Sequence, residues 1–399
     1  MNSEEYVDGI LVHYGEIALK GDNRGYFEDK LVDNLRRSLD GLDFERIKKM
    51  HGRILVELGR TPFSRISDYE ERVSRVFGIA NYAFVRRSSR DLESIKEKAW
   101  NLVKAERFES FKVASRRADK GFPLTSVELN ERIGAELQDR FRRQDSPRQV
   151  DLEQPELALF VEVTKNEVFL YKNKREGPGG MPVSTSGNVL GLISAGIDSP
   201  VAAWQMMKRG SKVVFVHFHS FPRTDRASQE NVKESVEVLA KWQGSSRLYL
   251  VNIRAIQRRI IMDVPKRLRI IFYRRAMLKA GEKIAETEGA LGLVTGDSLA
   301  QVSSQTLENL RAANEAVTPS IPVYRPNIGM DKREIESRAR NIGTFEISTR
   351  SSRDCCVYMR PEHPETKATL TEVREAEEVL EEDDLILEAV RDAEVEEFL

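Results

Sequence analysis

Two short stretches of this 399-residue sequence hold groups able to do chemistry. The first is SAGIDSP at residues 194–200, set between the apolar VLGLI and the helix-like VAAWQMMKRG. Small residues at such a turn let backbone amides close around an anion at the positive end of the following helix. Ser199 is predicted to cap that helix, with Pro200 at its first position, where a missing N–H costs nothing. A pyrophosphate is expected there, with Ser194, Gly196 and Ser199 nearest to it. A plain strand-to-helix turn would show the same spacing. The loop has neither the lysine of a Walker A motif nor the glycine spacing of a dinucleotide fingerprint. The second stretch is Cys355 and Cys356, the only cysteines in the chain. Adjacent as they are, they rule out a disulfide framework and a four-cysteine metal site. A thiolate beside Arg353 would be favoured and reactive, whereas a buried pair would pack as small hydrophobes.

The elements around the first stretch position it. Strands are predicted at residues 188–193, 212–217 and 247–251 and helices at 201–209 and 229–242, the βαβ alternation of an α/β, doubly wound parallel sheet. Ligands of such sheets bind beyond the carboxyl ends of the strands, where residues 194–200 fall. Upstream, strands at 7–14, 45–49 and 53–58 surround a helix at 26–39. Helices at 94–107 and 128–143 then alternate with strands at 111–115, 157–163 and 167–171, which makes two smaller α+β units. GPGGMP at 177–182 is the clearest linker. The predicted domains are 1–67, 68–175 and 176–371, followed by an acidic helix at 372–399.

A composition of 40% hydrophobic and 32% charged residues describes a soluble globular protein. No run approaches the roughly 18–20 apolar residues of a membrane span, and the opening MNSEEYVDGI lacks a signal-peptide core. A cytoplasmic protein without a membrane partner is expected. The net charge of −1 hides an asymmetry: residues 372–399 hold 13 acidic and 2 basic side chains, leaving 51 acidic against 61 basic elsewhere. The body of the chain can therefore attract a polyanion. Its basic residues cluster as Lys20 and Arg24; as Arg86, Arg87 and Arg90; as Arg116, Arg117 and Lys120; and as Arg140, Arg142, Arg143 and Arg148. Such clusters neutralise phosphates without reading bases, or serve as solvated surface.

The 194–200 loop resembles the SGGxDS motif of the PP-loop ATP pyrophosphatases, with Ala195 in place of a glycine; alanine is accommodated there only at negative φ. Together with VHFHSFPRT, TGDSLAQVSSQTLENL and DCCVYMRPEHPETKA, it is similar to the tRNA 4-thiouridine synthetase (ThiI) family. GEIALKGDNRGYFEDKL resembles that family's opening, and ASRRADKGFPLTSVELNERIGAEL its THUMP RNA-binding domain. The likeness spans residues 7–367. It implies a ferredoxin-like domain, a THUMP domain and a PP-loop domain that bind tRNA, ATP and Mg2+, assembled as a homodimer. It places Leu192 and Ile193 beside the nucleotide, His217 and Phe218 around the adenine, and Arg274, Gly296 and Gln305 in the same pocket. Ala300 stands where the family usually has glycine. Asp198 would hold Mg2+ or orient the attacked oxygen, and Lys332 would neutralise charge on an adenylate.

The activity implied is adenylation of the C4 oxygen of a uridine, at position 8, followed by displacement of AMP by persulfide sulfur, with Cys355 favoured as carrier over Cys356. A role in thiamine synthesis accompanies it. Bacterial relatives often add a rhodanese domain where this chain has its acidic helix, so sulfur is expected from a cysteine desulfurase, a separate rhodanese or sulfide. The 116–120 segment is the expected grip on tRNA. Alternatives are another PP-loop enzyme, such as a tRNA 2-thiouridylase or an amidating synthetase, and a non-catalytic RNA-binding protein.

Overall fold

The computed structural model describes residues 6–222, 226–350 and 364–399. Contacts divide the chain into two units, Met1–Gly180 and Met181–Leu399, and the division falls inside GPGGMP. In the first unit β1 (Tyr6–Tyr14), α1 (Arg24–Ser38), β2 (Arg46–Met50), β3 (Arg53–Pro62), α2 (Ile66–Val73) and β4 (Ile79–Ser88) follow the βαββαβ order of a ferredoxin-like fold. Their strands lie antiparallel in the order β2-β3-β1-β4. After them come α3 (Leu92–Val103), β5 (Ser110–Arg117), α4 (Ser126–Arg143), β6 (Gln149–Val150), β7 (Leu157–Val163), β8 (Val168–Tyr171) and β9 (Arg175–Glu176). Strand β4 is long enough to serve twice: Ile79 to Val85 pair with β1, and Arg86 to Ser88 pair with β8, so one sheet runs through the unit. The boundary predicted after residue 67 is therefore corrected. It would cut α2, and without β4 the strand β1 would be left as an open edge.

In the second unit the order is β10 (Asn188–Leu192), α5 (Asp198–Lys208), β11 (Lys212–His219), α6 (Arg226–Gln243), β12 (Ser246–Asn252), α7 (Arg254–Asp263), α8 (Arg269–Glu288), β13 (Ala290–Val294), α9 (Leu307–Asn314), β14 (Val323–Tyr324), α10 (Lys332–Ile342), α11 (Phe345–Ser348), α12 (Leu370–Glu377), α13 (Asp383–Arg391) and β15 (Glu394–Phe398). Among the described residues the sheet reads β14-β13-β10-β11-β12-β15, parallel except for β15. The chain steps from β10 out to β12 and then returns to β13 on the other side. The switch point thus lies between β10 and β13, the crevice where sheets of this build hold ligands.

The predicted acidic helix at 372–399 is corrected to most of α12, then α13 and the edge strand β15. Its carboxylates are taken up by cations of the same unit: Lys279 lies 3.1 Å from both Glu377 and Glu382, Lys233 2.6 Å from Glu396, and Arg247 3.0 Å from Glu397. Val373 and Ile386 enter the core beneath. The segment packs as part of the domain instead of standing off as a polyanion. No helix of the described residues is long and apolar enough to cross a membrane.

Candidate active site

The loop after β10 is braced by its own serines. Ser199 Oγ accepts the Ser194 N–H at 2.9 Å and lies 3.2 Å from Ser194 Oγ, which in turn accepts the Gly196 N–H at 3.3 Å. The expected capping role of Ser199 is corrected: the cap position is Ile197, Ser199 lies within the first turn, and no side chain caps α5. The first-turn amides therefore keep donor capacity at the positive end of the helix dipole. Ala195 is buried, and the non-glycine residues with positive φ among those described are Asp145, Ser184 and Ala300. Alanine thus meets the condition set for position 195. The left-handed strain falls instead on Ala300, at φ 62°, where a side chain costs about 1–2 kcal/mol.

Ile193 follows β10, and its carbonyl accepts a hydrogen bond from His217 Nδ1 at 2.9 Å. His217 is buried, its pKa pushed down to about 4 by that burial, so the ring is neutral at pH 7. Its Nε2 is a buried acceptor with no partner among the described residues. Phe218 does not stand beside it. Neighbouring strand residues face opposite sides, and the Phe218 ring joins Val214 and Val216 in the core, with Leu192 packed against that cluster. His217 and Phe218 thus do not form one aromatic wall, and any role of Phe218 at a ligand falls to its main chain.

Beyond β13 lies a carboxylate that sequence reasoning missed. Asp297 is buried and receives Arg274 Nη2 at 2.6 and 2.7 Å, Thr295 Oγ1 at 2.7 Å, Arg325 Nε at 3.0 Å and Gln305 Nε2 at 3.2 Å. Burial alone would raise its pKa. The charge and hydrogen bond of Arg274, the Thr295 hydroxyl and the charge of Arg325 outweigh it and hold the group at about 2. Arg274 and Gln305 are thus brought together through a hub, and Arg325 joins them unforeseen. The signal available was a charged residue three positions after an apolar strand of the βαβ pattern. Gly296, expected in the nucleotide pocket, makes room for the first turn of α5.

Asp198 opens α5, and its carbonyl accepts a hydrogen bond from the buried Asn327 side chain at 2.7 Å. Burial raises the carboxyl pKa, a hydrogen bond from Gln301 and the charge of Lys332 oppose the rise, and the charge of Asp297 adds to it. Lys332 is the first residue of α10, behind a capping box of Asp331 and Glu334, and its tip is largely exposed. A cavity of about 420 Å3, lined in part by Ala300, Gln301, Met330 and Lys332, adjoins these groups. Ser194, Gly196, Asp198, Ser199, His217, Arg274, Gly296, Gln305 and Lys332 thus gather around the carboxyl end of one sheet. No cluster of three or more His, Cys, Asp or Glu side chains among the described residues could hold a metal ion unaided.

Cys355 and Cys356 lie outside the described residues. The chain on either side of them is tied down. Before them, Ser348 Oγ donates to Gly196 O in the loop after β10 at 3.4 Å, and Arg350 pairs with Glu234 at 2.7 Å. After them, buried Asn309 donates to Glu365 O at 2.8 Å and accepts from Ala368 N at 3.2 Å.

In the first unit the sequence clusters separate by partner. Arg87 pairs with Glu167 and Glu57, Arg86 stacks on Tyr6, and Arg140 bridges Glu97 and Glu136 at 2.7 Å, so these cations are occupied internally. Arg24 is bound to Tyr14 and Glu28, and Lys20 lies over Phe27. Arg117 donates to Phe122 O at 3.2 Å, which holds the turn after β5. Arg116 and Lys120 are exposed and make no ion pair among the described residues. They are free cations at the end of β5 and in the turn that follows it.

A largely parallel sheet with an uncapped helix start at its switch point, preceded in the chain by a ferredoxin-like unit, is the build of an α/β enzyme of the PP-loop class. The family model described as Thiamine biosynthesis protein (ThiI) matches residues 184–381, the ThiI ferredoxin-like domain residues 9–83 and the THUMP domain residues 89–173. A probable tRNA sulfurtransferase of Caldanaerobacter subterraneus subsp. tengcongensis is 43% identical over 94% of this chain and 96% of its own length. One of Thermus thermophilus is 41% identical over 96% of this chain and 92% of its own. A crystal structure of a 4-thiouridine synthetase–RNA complex with bound ATP matches at TM-score 0.88 and 34% identity, covering 98% of this chain and 100% of that one. The chain belongs to the ThiI family.

Proposed function

We propose that this protein is an ATP-dependent tRNA sulfurtransferase that converts a uridine, at position 8, to 4-thiouridine. The observation that carries the reading is the uncapped first turn of α5 facing the Arg274–Asp297–Arg325 cluster across the switch point: donors on one side, guanidiniums on the other. The uracil C4 oxygen attacks the α-phosphorus of ATP, the α–β bridging bond breaks, and pyrophosphate leaves. The outer persulfide sulfur then attacks C4 and AMP departs, and a second thiol cleaves the resulting S–S bond, forming a disulfide with the carrier cysteine as 4-thiouridine is released. Adenine is met by neutral His217, whose Nε2 accepts, and Lys332 neutralises charge on the adenylate. Mg2+ would be held by substrate phosphates with one or two protein carboxylates. Asp198 fits that need, since Asp297 is held by arginines, and the ion would neutralise the pyrophosphate as it leaves. Cys355 is the carrier we favour, its thiolate taking the outer sulfur from the persulfide of a cysteine desulfurase or a rhodanese, whose thiol is released; free sulfide would instead attack C4 directly. Arg116 and Lys120 grip tRNA phosphates. A cytoplasmic homodimer is the assembly we favour.

The test is AMP formation with and without tRNA, joined to mass spectrometry of tRNA nucleosides from a deletion strain. Unaltered 4-thiouridine in that strain would refute the proposal. The family's description favours a second role, sulfur supply for thiamine, which a thiamine requirement of the same strain would reveal.

A further inference from the structure

The cluster around Asp297 holds a charge imbalance inside the protein. Two guanidiniums face one carboxylate, and their side chains are only 19% exposed for Arg274 and 10% for Arg325, against 5% for Asp297. A buried surplus charge is costly unless an anion answers it. The two arginines are not equally free. Arg325 is used up: Nε goes to Asp297 and Nη2 donates to Asn314 Oδ1 at 2.7 Å. Arg274 spends Nη2 on both Asp297 oxygens, and its Nε is buried with no partner among the described residues. Gln305 repeats the pattern, giving Nε2 to Asp297 while Oε1 stays buried and unpartnered. One carboxylate thus fixes two side chains by one end each and leaves the other end of each for a ligand.

We infer that Asp297 is a positioning residue for the nucleotide, fixing Arg274 and Gln305 so that one donor, one acceptor and the surplus positive charge are preset for ATP. This rests on the proposed ATP site and adds to it a residue that touches no substrate. Arg325 completes the arrangement by compensating Asp297, so that the carboxylate remains ionised while Arg274 is available to the anion.

The test measures ATP dissociation constants by calorimetry on the full chain, without tRNA, for wild type, Asp297→Asn, Arg274→Ala and the double variant. Asp297→Asn keeps the shape and removes the charge, so it should weaken ATP binding at least about tenfold. Arg274→Ala should do the same. Because Asp297 acts through Arg274, the double variant should be little worse than the weaker single one, whereas two independent contributions would multiply to about a hundredfold. That multiplication would overturn the inference, as would wild-type ATP affinity in Asp297→Asn. Should Asp297→Asn fail to fold, Thr295→Val removes one hydrogen bond to the carboxylate with little change of shape. It should weaken ATP about threefold or more, and an unchanged constant would overturn the inference. A wild-type chain that binds no ATP would instead sink the reading beneath it, before any variant is compared.

Discussion

Gly296 lies against Ser199 so closely that a Cβ built on it would be 2.6 Å from the Ser199 amide nitrogen and 2.8 Å from the Ser199 Cα and the Asp198 carbonyl carbon. All three are backbone atoms of the first turn of α5, so no side-chain movement relieves the contact. Overpacking of this kind costs about 1–3 kcal/mol. Gly296→Ala should therefore lower the melting temperature by several degrees and, by displacing the first-turn amides, cut AMP formation at least about tenfold. Both are read on one preparation. A variant that melts early yet makes AMP at the wild-type rate would show that these amides do not hold phosphate.

Asp198 presents the opposite balance, function held against stability. Its folded carboxyl pKa is raised above the ordinary 3.8, chiefly by burial. A raised carboxylate pKa means that the ionised form costs stability above that range, and the cost vanishes once both states are protonated below it. Asp198→Asn should accordingly raise the melting temperature at pH 7, with the gain fading below about pH 4, while abolishing AMP formation. tRNA affinity should hold. Equal loss of AMP formation and tRNA binding in this folded variant would contradict the division of labour between the two units.

Much of this site was legible because period and punctuation carry local physics. The apolar run VLGLI, the small-residue turn and the following helix place residues 194–200 at a strand's carboxyl end whatever lies around them. Partners distant in the chain were not legible. Arg87 looks like a phosphate ligand beside Arg86 and Arg90 until Glu167, 80 residues on, is seen to pair with it. Asp297 is one carboxylate among many, and only the meeting of α8, the loop after β13 and the chain after β14 makes it a hub. Strand β15 was hidden because EVEEF has the composition of a solvated tail; backbone pairing to β12 and the ion pairs of Glu396 and Glu397 make it an edge strand.

Glu162 joins four strands of the first unit: Arg53 of β3, Tyr171 of β8 at 2.6 Å and His13 of β1 at 3.1 Å all meet it from β7. Burial pushes its pKa up, but the hydrogen bond and charge of His13, the charge of Arg53 and the Tyr171 hydroxyl hold it at about 2. A depressed carboxylate pKa contributes stability that is complete above the unfolded value near 4.5 and is lost as pH falls towards 2. Hydrogen-exchange protection of β7 should drop through that window, and Glu162→Gln should remove the dependence. At pH 7 the same variant strands Arg53, a loss of about 3–5 kcal/mol. Protection in the wild type that is flat from pH 4.5 to 2.5 would deny the linkage.

Arg116→Ala should weaken tRNA binding alike for all substrates and reduce the salt slope by about 0.7–0.9 per lost phosphate contact. Arg87→Ala should leave the slope alone, because that guanidinium is spent on Glu167 and Glu57. Arg117→Ala acts indirectly, by releasing the turn held through Phe122 O. Filter binding across a salt series separates the three. An Arg87→Ala slope that falls as far as that of Arg116→Ala would move the RNA contact to the other cluster.

The sulfur step is tested at the cysteines themselves. The chain leading to them is bonded to Gly196 in the loop after β10, and the chain leaving them to Asn309. Adenylation needs no thiol, so Cys355→Ser should still form AMP from ATP in the presence of tRNA, yet yield no 4-thiouridine from a persulfide donor. If the pair is extended, its neighbouring side chains face opposite ways and only one meets the adenylate, so Cys356→Ser should then be milder. Serine is nearly isosteric with cysteine but carries no transferable sulfur, so the block is chemical and the melting curve should not move. Free sulfide can bypass the residue where the adenylate is open to solvent, and for that reason both donors are to be run side by side. Wild-type thiolation by both single variants with the persulfide donor would remove these cysteines from the mechanism and leave ATP-dependent activation standing alone.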